Sequence, residues 1–153
     1  MGMKERPPTI SQINLIAKHF DQTVQFYRLL GLDIPAPVAQ PPGALHASAE
    51  LENGFAFEID NQYLARIYNA AWRKSSGSST LMLSASFESR QAVDVAYAKL
   101  VAAGYESRQS PYDAFWGSRF AIVADPEGND VGLMSPAEER FKTWPPTESP
   151  STR

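Results

Sequence analysis

Apolar residues recur along this chain in two rhythms, and the two alternate in the same order twice. INLIA (13–17) is an apolar run of strand length. DQTVQFYRLLG (21–31) follows, with Val24, Tyr27 and the Leu29/Leu30 pair at helical spacing. Asp21 is placed to cap that helix and Gly31 to close it. After a proline-rich loop (35–43), ALHASAEL (44–51) and GFAFEID (54–60) read as strands joined by an Asn53-Gly54 turn. The second half opens on a strand, TLMLSASF (80–87). Ser89 then caps a helix over 90–104, with Val93, Tyr97 and Leu100 as its apolar stripe and Gly104 at its end. YESRQ (105–109) and two further strands complete it.

The predicted fold is α+β: two tandem β-α-β-β-β modules forming curved mixed sheets around a cleft, with helices outside. The boundaries read as an N-terminal extension (1–9), a first module (10–60), a linker (61–79), a second module (80–136) and a flexible tail (137–153). The linker is expected to hold a short helix around Leu64 to Ala70 before its Ser/Gly-rich stretch.

DPEGNDVGLMSP (125–136) holds the most informative turn. Pro126 presets φ and Gly128 accepts a left-handed conformation, so RFAIVAD (119–125) and DVGLMS (130–135) form a hairpin across a loop of three to five residues. Alternation puts Asp130, Gly132 and Met134 on one strand face. A glycine inside a strand costs roughly 0.5–1 kcal/mol and packs nothing, so Gly132 needs a reason. Either a side chain has been vacated to make room for a ligand, or a neighbour packs too closely to allow one.

Composition removes several functions. The chain has 153 residues and no cysteine, which excludes disulfides, zinc-thiolate sites, iron–sulfur clusters and thiol nucleophiles. A net charge of −3 without a basic block argues against nucleic acid or an anionic membrane as partner. No apolar run approaches the roughly 20 residues of a membrane span, and MGMKERPPT lacks a signal core, so a cytoplasmic location is expected. No phosphate loop, nucleotide fingerprint or Ser-His-Asp arrangement is visible.

HFDQTVQFYRLLGLDI, the alanine-rich helix ending in AAGY, and RFAIVADPEGNDVGLMSP together resemble the glyoxalase/bleomycin-resistance/extradiol-dioxygenase superfamily, the vicinal oxygen chelate proteins. The resemblance covers roughly residues 10 to 136. Metal-dependent members take four ligands, two from each module. Carried over, the ligand positions fall on Gln12, on Glu58, near Ser79 or Thr80, and on Gly132. Only the first two keep a donor, so the resemblance implies a site emptied of its metal, with Gln12 and Glu58 as vestiges and no cofactor. The alternative is one divalent ion held by Gln12 and Glu58. The resemblance also implies a homodimer, because modules of this superfamily pair within or across chains.

Glu58 shares its strand face with Ala56 and Asp60, as a cleft carboxylate able to act as general base or as a solvated residue. His46, one of two histidines, reads as a polar sheet residue, a hydrogen-bond donor to a ligand or an added metal ligand; His19 reads as structural. SPYDAFWGSRF (110–120) brings Tyr112, Phe115 and Trp116 together for stacking on a flat ligand, with Asp113 or Arg119 to fix a polar group. The competing reading is a packed loop. Gln12, His46, Gly132 and this run are the candidate ligand-binding residues, and Glu58 the candidate catalytic one. The expected function is metal-free binding of a small, flat, partly polar organic molecule. The alternative is an enzyme of the same superfamily: a lyase, isomerase or ring-cleaving dioxygenase using Gln12 and Glu58 on a metal, or Glu58 as base.

Overall fold

The computed structural model describes residues 12–69, 72–74 and 82–143. The chain divides into two compact units, Met1–Arg73 and Lys74–Arg153. The N-terminal extension (1–9), the Ser/Gly-rich stretch at 75–80 and, of the expected flexible tail (137–153), residues 144–153 lie outside the described residues, while residues 137–143 of that tail are described and include a 3-10 turn.

The first unit contains β1 (Gln12–Ala17), α1 (Phe20–Leu30), β2 (His46–Glu50), β3 (Ala56–Asn61) and α2 (Gln62–Tyr68). The sheet order is β1-β3-β2, so the last strand in sequence is central. β1 runs parallel to β3, which requires the crossover that α1 supplies, and β2 pairs antiparallel with β3. Alternation then sorts the side chains. Ala47, Ala49, Phe57 and Ile59 are buried on one face, where Tyr27 of α1 sets its ring 4.7 Å from that of Phe57. Gln12, Asn14, His46, Ser48, Glu58 and Asp60 fall on the other.

One expectation is corrected here. Asp21 is not the cap of α1: the helix begins at Phe20, the cap position is His19, and no side chain caps it. Thr23 Oγ1 donates to the His19 carbonyl at 2.8 Å, and Asp21 sits in the first turn, where a negative charge suits the helix dipole. The first sheet also has three strands among the described residues. Where the extra strand of the module would run, the chain makes one antiparallel bridge, Val38 to His46. Pro35, Pro37, Pro41 and Pro42 flank it and have no N–H to give a ladder.

The second unit contains β4 (Met82–Ser86), α3 (Arg90–Ala102), β5 (Ser107–Asp113), β6 (Arg119–Ala124) and β7 (Asp130–Met134), then a 3-10 turn at Glu139–Phe141. The order is β4-β7-β6-β5, with β4 parallel to β7 and the rest antiparallel. Ser89 accepts from the Ala92 N–H at 3.0 Å, as expected of the cap. Val93 and Leu100 of α3 are buried with Ala121, Val123, Val131 and Leu133 of the sheet. The β6–β7 hairpin closes over residues 125–129. Asp125 Oδ1 there accepts from the backbone N–H of Glu127 at 2.9 Å and of Asn129 at 2.8 Å. β5 runs as far as Asp113, so Tyr112 and Asp113 belong to a strand rather than to the loop.

Candidate functional site

Each unit carries a distinct group on the sheet face that its helices leave open. In the first unit the group is polar. Register puts Asn14, Glu58 and Ser48 in one row across β1, β3 and β2, with Asp60 and His46 paired in a neighbouring row. His46 Nδ1 lies 2.6 Å from Asp60 Oδ1, and Nε2 lies 2.8 Å from Glu58 Oε2. Asp60 Oδ2 accepts from Asn14 Nδ2 at 3.0 Å and from the Tyr68 hydroxyl at 2.9 Å. Glu58 Oε1 accepts from Ser48 Oγ at 2.9 Å. Glu58 Oε2 is different. It is buried and accepts no hydrogen bond among the described residues, so the ring nitrogen meets it as an ion-pair contact only.

The carboxylate side chains are 10% and 2% exposed at Glu58 and Asp60, against 39% for the His46 ring. Burial, then the hydrogen bond and the charge of Asp60, push the Tyr68 hydroxyl up to about 12 from 10.0. Gln12 is exposed and donates to Asn14 Oδ1 at 2.6 Å, which joins it to the edge of the cluster. The expected residues Gln12, His46 and Glu58 are therefore brought together. Asn14, Asp60 and Tyr68 act with them and were not among the candidates. Asn14 and Asp60 are legible in the sequence as face-mates of Gln12 and Glu58, but Tyr68 reaches the cluster from α2 and carries no local signal.

In the second unit the group is aromatic. A cavity of about 270 Å³ is lined by Ser86, Phe87, Trp116, Ser118, Met134, Ser135, Pro136 and Ala137. The Trp116 ring meets Phe120 edge-on at 5.2 Å and Phe115 at 5.3 Å, and Tyr112 meets Phe120 at 6.2 Å. The loop is held from outside. Gly117 has φ 100°, and a Cβ there would stand 2.6 Å from the Glu138 carbonyl, so only glycine lets segment 138–142 close on it. Arg90 Nη1 donates to the Gly117 carbonyl at 3.0 Å, and its guanidinium lies over the Phe141 ring.

Asp113 and Arg119 are not placed beside Trp116 in this lining. Arg119 shares its strand face with Ala121 and Val123, and donates to Asp94 of α3 at 2.8 Å and to Asp113 at 3.2 Å. Asp113 also takes a hydrogen bond from Arg90. Burial would raise the Asp113 carboxyl, but its hydrogen bonds from Arg90 and Arg119 outweigh that and hold it below the usual carboxylate value. Burial would lower Arg119, yet its hydrogen bonds to Asp94 and Asp113 hold it above its usual range. The polar residues of the lining are Ser86, Ser118 and Ser135, of which Ser135 Oγ accepts from the Arg119 N–H at 2.8 Å and donates to the Pro136 carbonyl at 3.3 Å.

The space that a side chain would need at Gly132 is already filled. A Cβ would lie 2.8 Å from Ser84 Oγ and 3.0 Å from Phe120 Cε2. Of the remaining metal positions, Ser79 and Thr80 lie outside the described residues, and Glu58 is engaged by Ser48 and His46. No group of three or more His, Asp and Glu residues is placed to hold a metal among the described residues. The donors among the described residues do not fit a resident divalent ion, which needs several oxygen or nitrogen ligands converging on one point.

The model of the Glyoxalase/Bleomycin resistance protein/Dioxygenase superfamily matches residues 9–133. No curated protein matches the chain. Among solved structures, a glyoxalase/bleomycin resistance protein/dioxygenase from Nocardioides is 24% identical, with 90% of this chain and 89% of that chain covered and a TM-score of 0.68. A family enzyme from Burkholderia phytofirmans is 17% identical over 84% of this chain and 98% of its own, at a TM-score of 0.69. The lactoylglutathione lyase from Agrobacterium tumefaciens is 18% identical over 86% and 96%, at a TM-score of 0.60. At these identities the likeness is one of fold, and fold alone leaves activity open. The family match spans most of the chain, both open faces included, and the chain therefore belongs to the glyoxalase/bleomycin resistance protein/dioxygenase superfamily.

Proposed function

We propose that this protein binds a small, flat, largely uncharged organic molecule against Trp116, without a resident metal ion. The observation that carries the reading is the lining of the cavity in the second unit. Trp116 and Phe87 supply aromatic rings, Met134 and Pro136 supply apolar walls, and Ser86 supplies a hydroxyl able to orient a polar group. Among the described residues no ionised side chain lines it, and Asp113 and Arg119 are engaged elsewhere. A volume of about 270 Å³ lies at the small end of ligand sites, which favours a ring system of one or two rings over a long chain. The rings already meet edge-on, so a planar ligand gains stacking area on Trp116 with little rearrangement.

The test is tryptophan fluorescence of the full chain titrated with aromatic antibiotics and metabolites. Saturable quenching is expected for at least one compound and is lost in Trp116→Phe, while the melting temperature stays within a few degrees. The chain has three tryptophans, so quenching that persists undiminished in Trp116→Phe assigns the signal to another site and refutes the reading.

A further inference from the structure

Arg90 is the first residue of α3, a position that by itself gives a cation no advantage. The N-terminal end of a helix carries partial positive charge, so a guanidinium there is disfavoured unless contacts outside the helix compensate. The side chain of Arg90 is 18% exposed and reaches three segments of the second unit. Nη1 donates to the Gly117 carbonyl at 3.0 Å, and Nη2 donates to Asp113 at the end of β5. The guanidinium stands 3.7 Å from the centre of the Phe141 ring in the 3-10 turn. Hydrogen bonds from a charged donor are shorter and stronger than neutral ones, and the cation–π contact adds to them.

The segments that Arg90 joins also frame the cavity. Trp116 and Ser118, on either side of Gly117, line it, and so do Pro136 and Ala137, just before Glu138. The two segments meet directly as well. The Glu138 N–H donates to the same Gly117 carbonyl at 3.1 Å, and the Thr143 N–H donates to the Phe115 carbonyl at 3.1 Å. Trp116 makes an antiparallel bridge with Lys142. Arg90 itself lies outside the lining. We infer that Arg90 is a positioning residue of the ligand site: by holding Gly117, Asp113 and Phe141 at once, it fixes Trp116 in the orientation on which a planar ligand stacks. Ordering a loop during binding weakens affinity, and a loop already fixed avoids that loss. Lysine cannot do the same, because one ammonium has no planar fork to serve two acceptors while lying over a ring. The inference rests on the Trp116 reading above and adds to it a residue that the ligand does not touch.

The experiment uses the full chain carrying Trp72→Phe and Trp144→Phe, so that Trp116 alone emits. Its emission maximum is recorded without ligand, and coumarin, a flat and uncharged two-ring probe, is titrated by calorimetry. Arg90→Met keeps the apolar stem and removes the charge and the donors. It is expected to move the ligand-free emission of Trp116 to longer wavelength and to raise the Kd for coumarin about tenfold, with the melting temperature within a few degrees. Arg90→Lys, which keeps the charge without the fork, is expected to fall between. If Arg90→Met does not fold, Arg90→Lys carries the same test. A tie that serves stability alone would lower the melting temperature and leave emission and Kd unchanged; that result overturns this inference and leaves the Trp116 reading standing. Failure of the parent chain to bind coumarin counts against the Trp116 reading instead. The ligand-free emission then still decides whether Arg90 holds the ring, and an unchanged maximum in the variant overturns the inference.

Discussion

A single glycine shows how a residue can be legible as an anomaly while its explanation lies elsewhere in the chain. Gly132 stands opposite Ser84 on β4 and Ile122 on β6, with Phe120 diagonal to it. The missing side chain makes room for the Phe120 ring, which in turn meets Trp116. Any Cβ at 132 therefore crowds Ser84 Oγ and a buried aromatic that packs against Trp116. Gly132→Ala is expected to cost about 1–3 kcal/mol through overpacking, read as a fall in the denaturant midpoint at unchanged slope. The Ser84→Gly change on that background removes the nearer obstacle, a rotatable hydroxyl, and should recover only part of the loss. An alanine variant as stable as wild type would show that the Phe120 ring is free to move, and Gly132 would then need another explanation.

Among the α-helices, α2 buries the least, with Ala65 its one buried residue. Seven residues cannot sustain a helix alone, so its stability comes from its ends and its contacts. Asn61 caps the start, its Oδ1 accepting from the Leu64 N–H and its Nδ2 donating to the Gly43 carbonyl, both at 2.9 Å. Tyr68 ties the end to Asp60 of β3. That tie has a pH signature. The hydroxyl is pushed up to about 12, above its unfolded value of 10.0, by burial first and by Asp60 second. A raised folded value means the contribution is complete below pH 10 and is lost as pH climbs toward 12. Wild type is therefore expected to be more stable than Tyr68→Phe below pH 10, with the difference closing by about pH 12 in thermal or denaturant unfolding. A difference that stays constant across that window would mean the hydroxyl contributes packing and no proton-linked contact.

At the scale of the whole molecule, both units repeat one asymmetry: helices cover one sheet face and leave a polar or aromatic group on the other. No helix among the described residues is long and apolar enough to cross a membrane. Among the described residues the sheet edges are β1 and β2 in the first unit, where Val38 bridges His46 of β2, and β4 and β5 in the second. Unpaired edges and half-covered faces are what a second copy can complete, so a homodimer is the expected state. Sedimentation at micromolar concentration should give twice the 16.9 kDa chain mass. The mass of one chain there would count decisively against it.

Local chemistry is enough to specify most of the elements. Helical spacing at Val24 and Tyr27, the Ser89 cap and the Asp125-to-Gly128 turn each act within a few residues, so their signals are complete in the sequence. Strand alternation likewise sorts Glu58 and Asp60 from Phe57 and Ile59. Where local rules compete, the sequence misleads, as when His19 rather than Asp21 takes the cap position of α1. Partners across strands lie out of its reach. Placing β3 between β1 and β2 is what brings Asn14, His46 and Ser48 onto its two carboxylates, and α3 is what claims Arg119 through Asp94. Such pairings depend on strand order and register, which follow from burying whole faces at once. Sequence alone determined which side chains share a face; only the tertiary structure decided what each of them meets there.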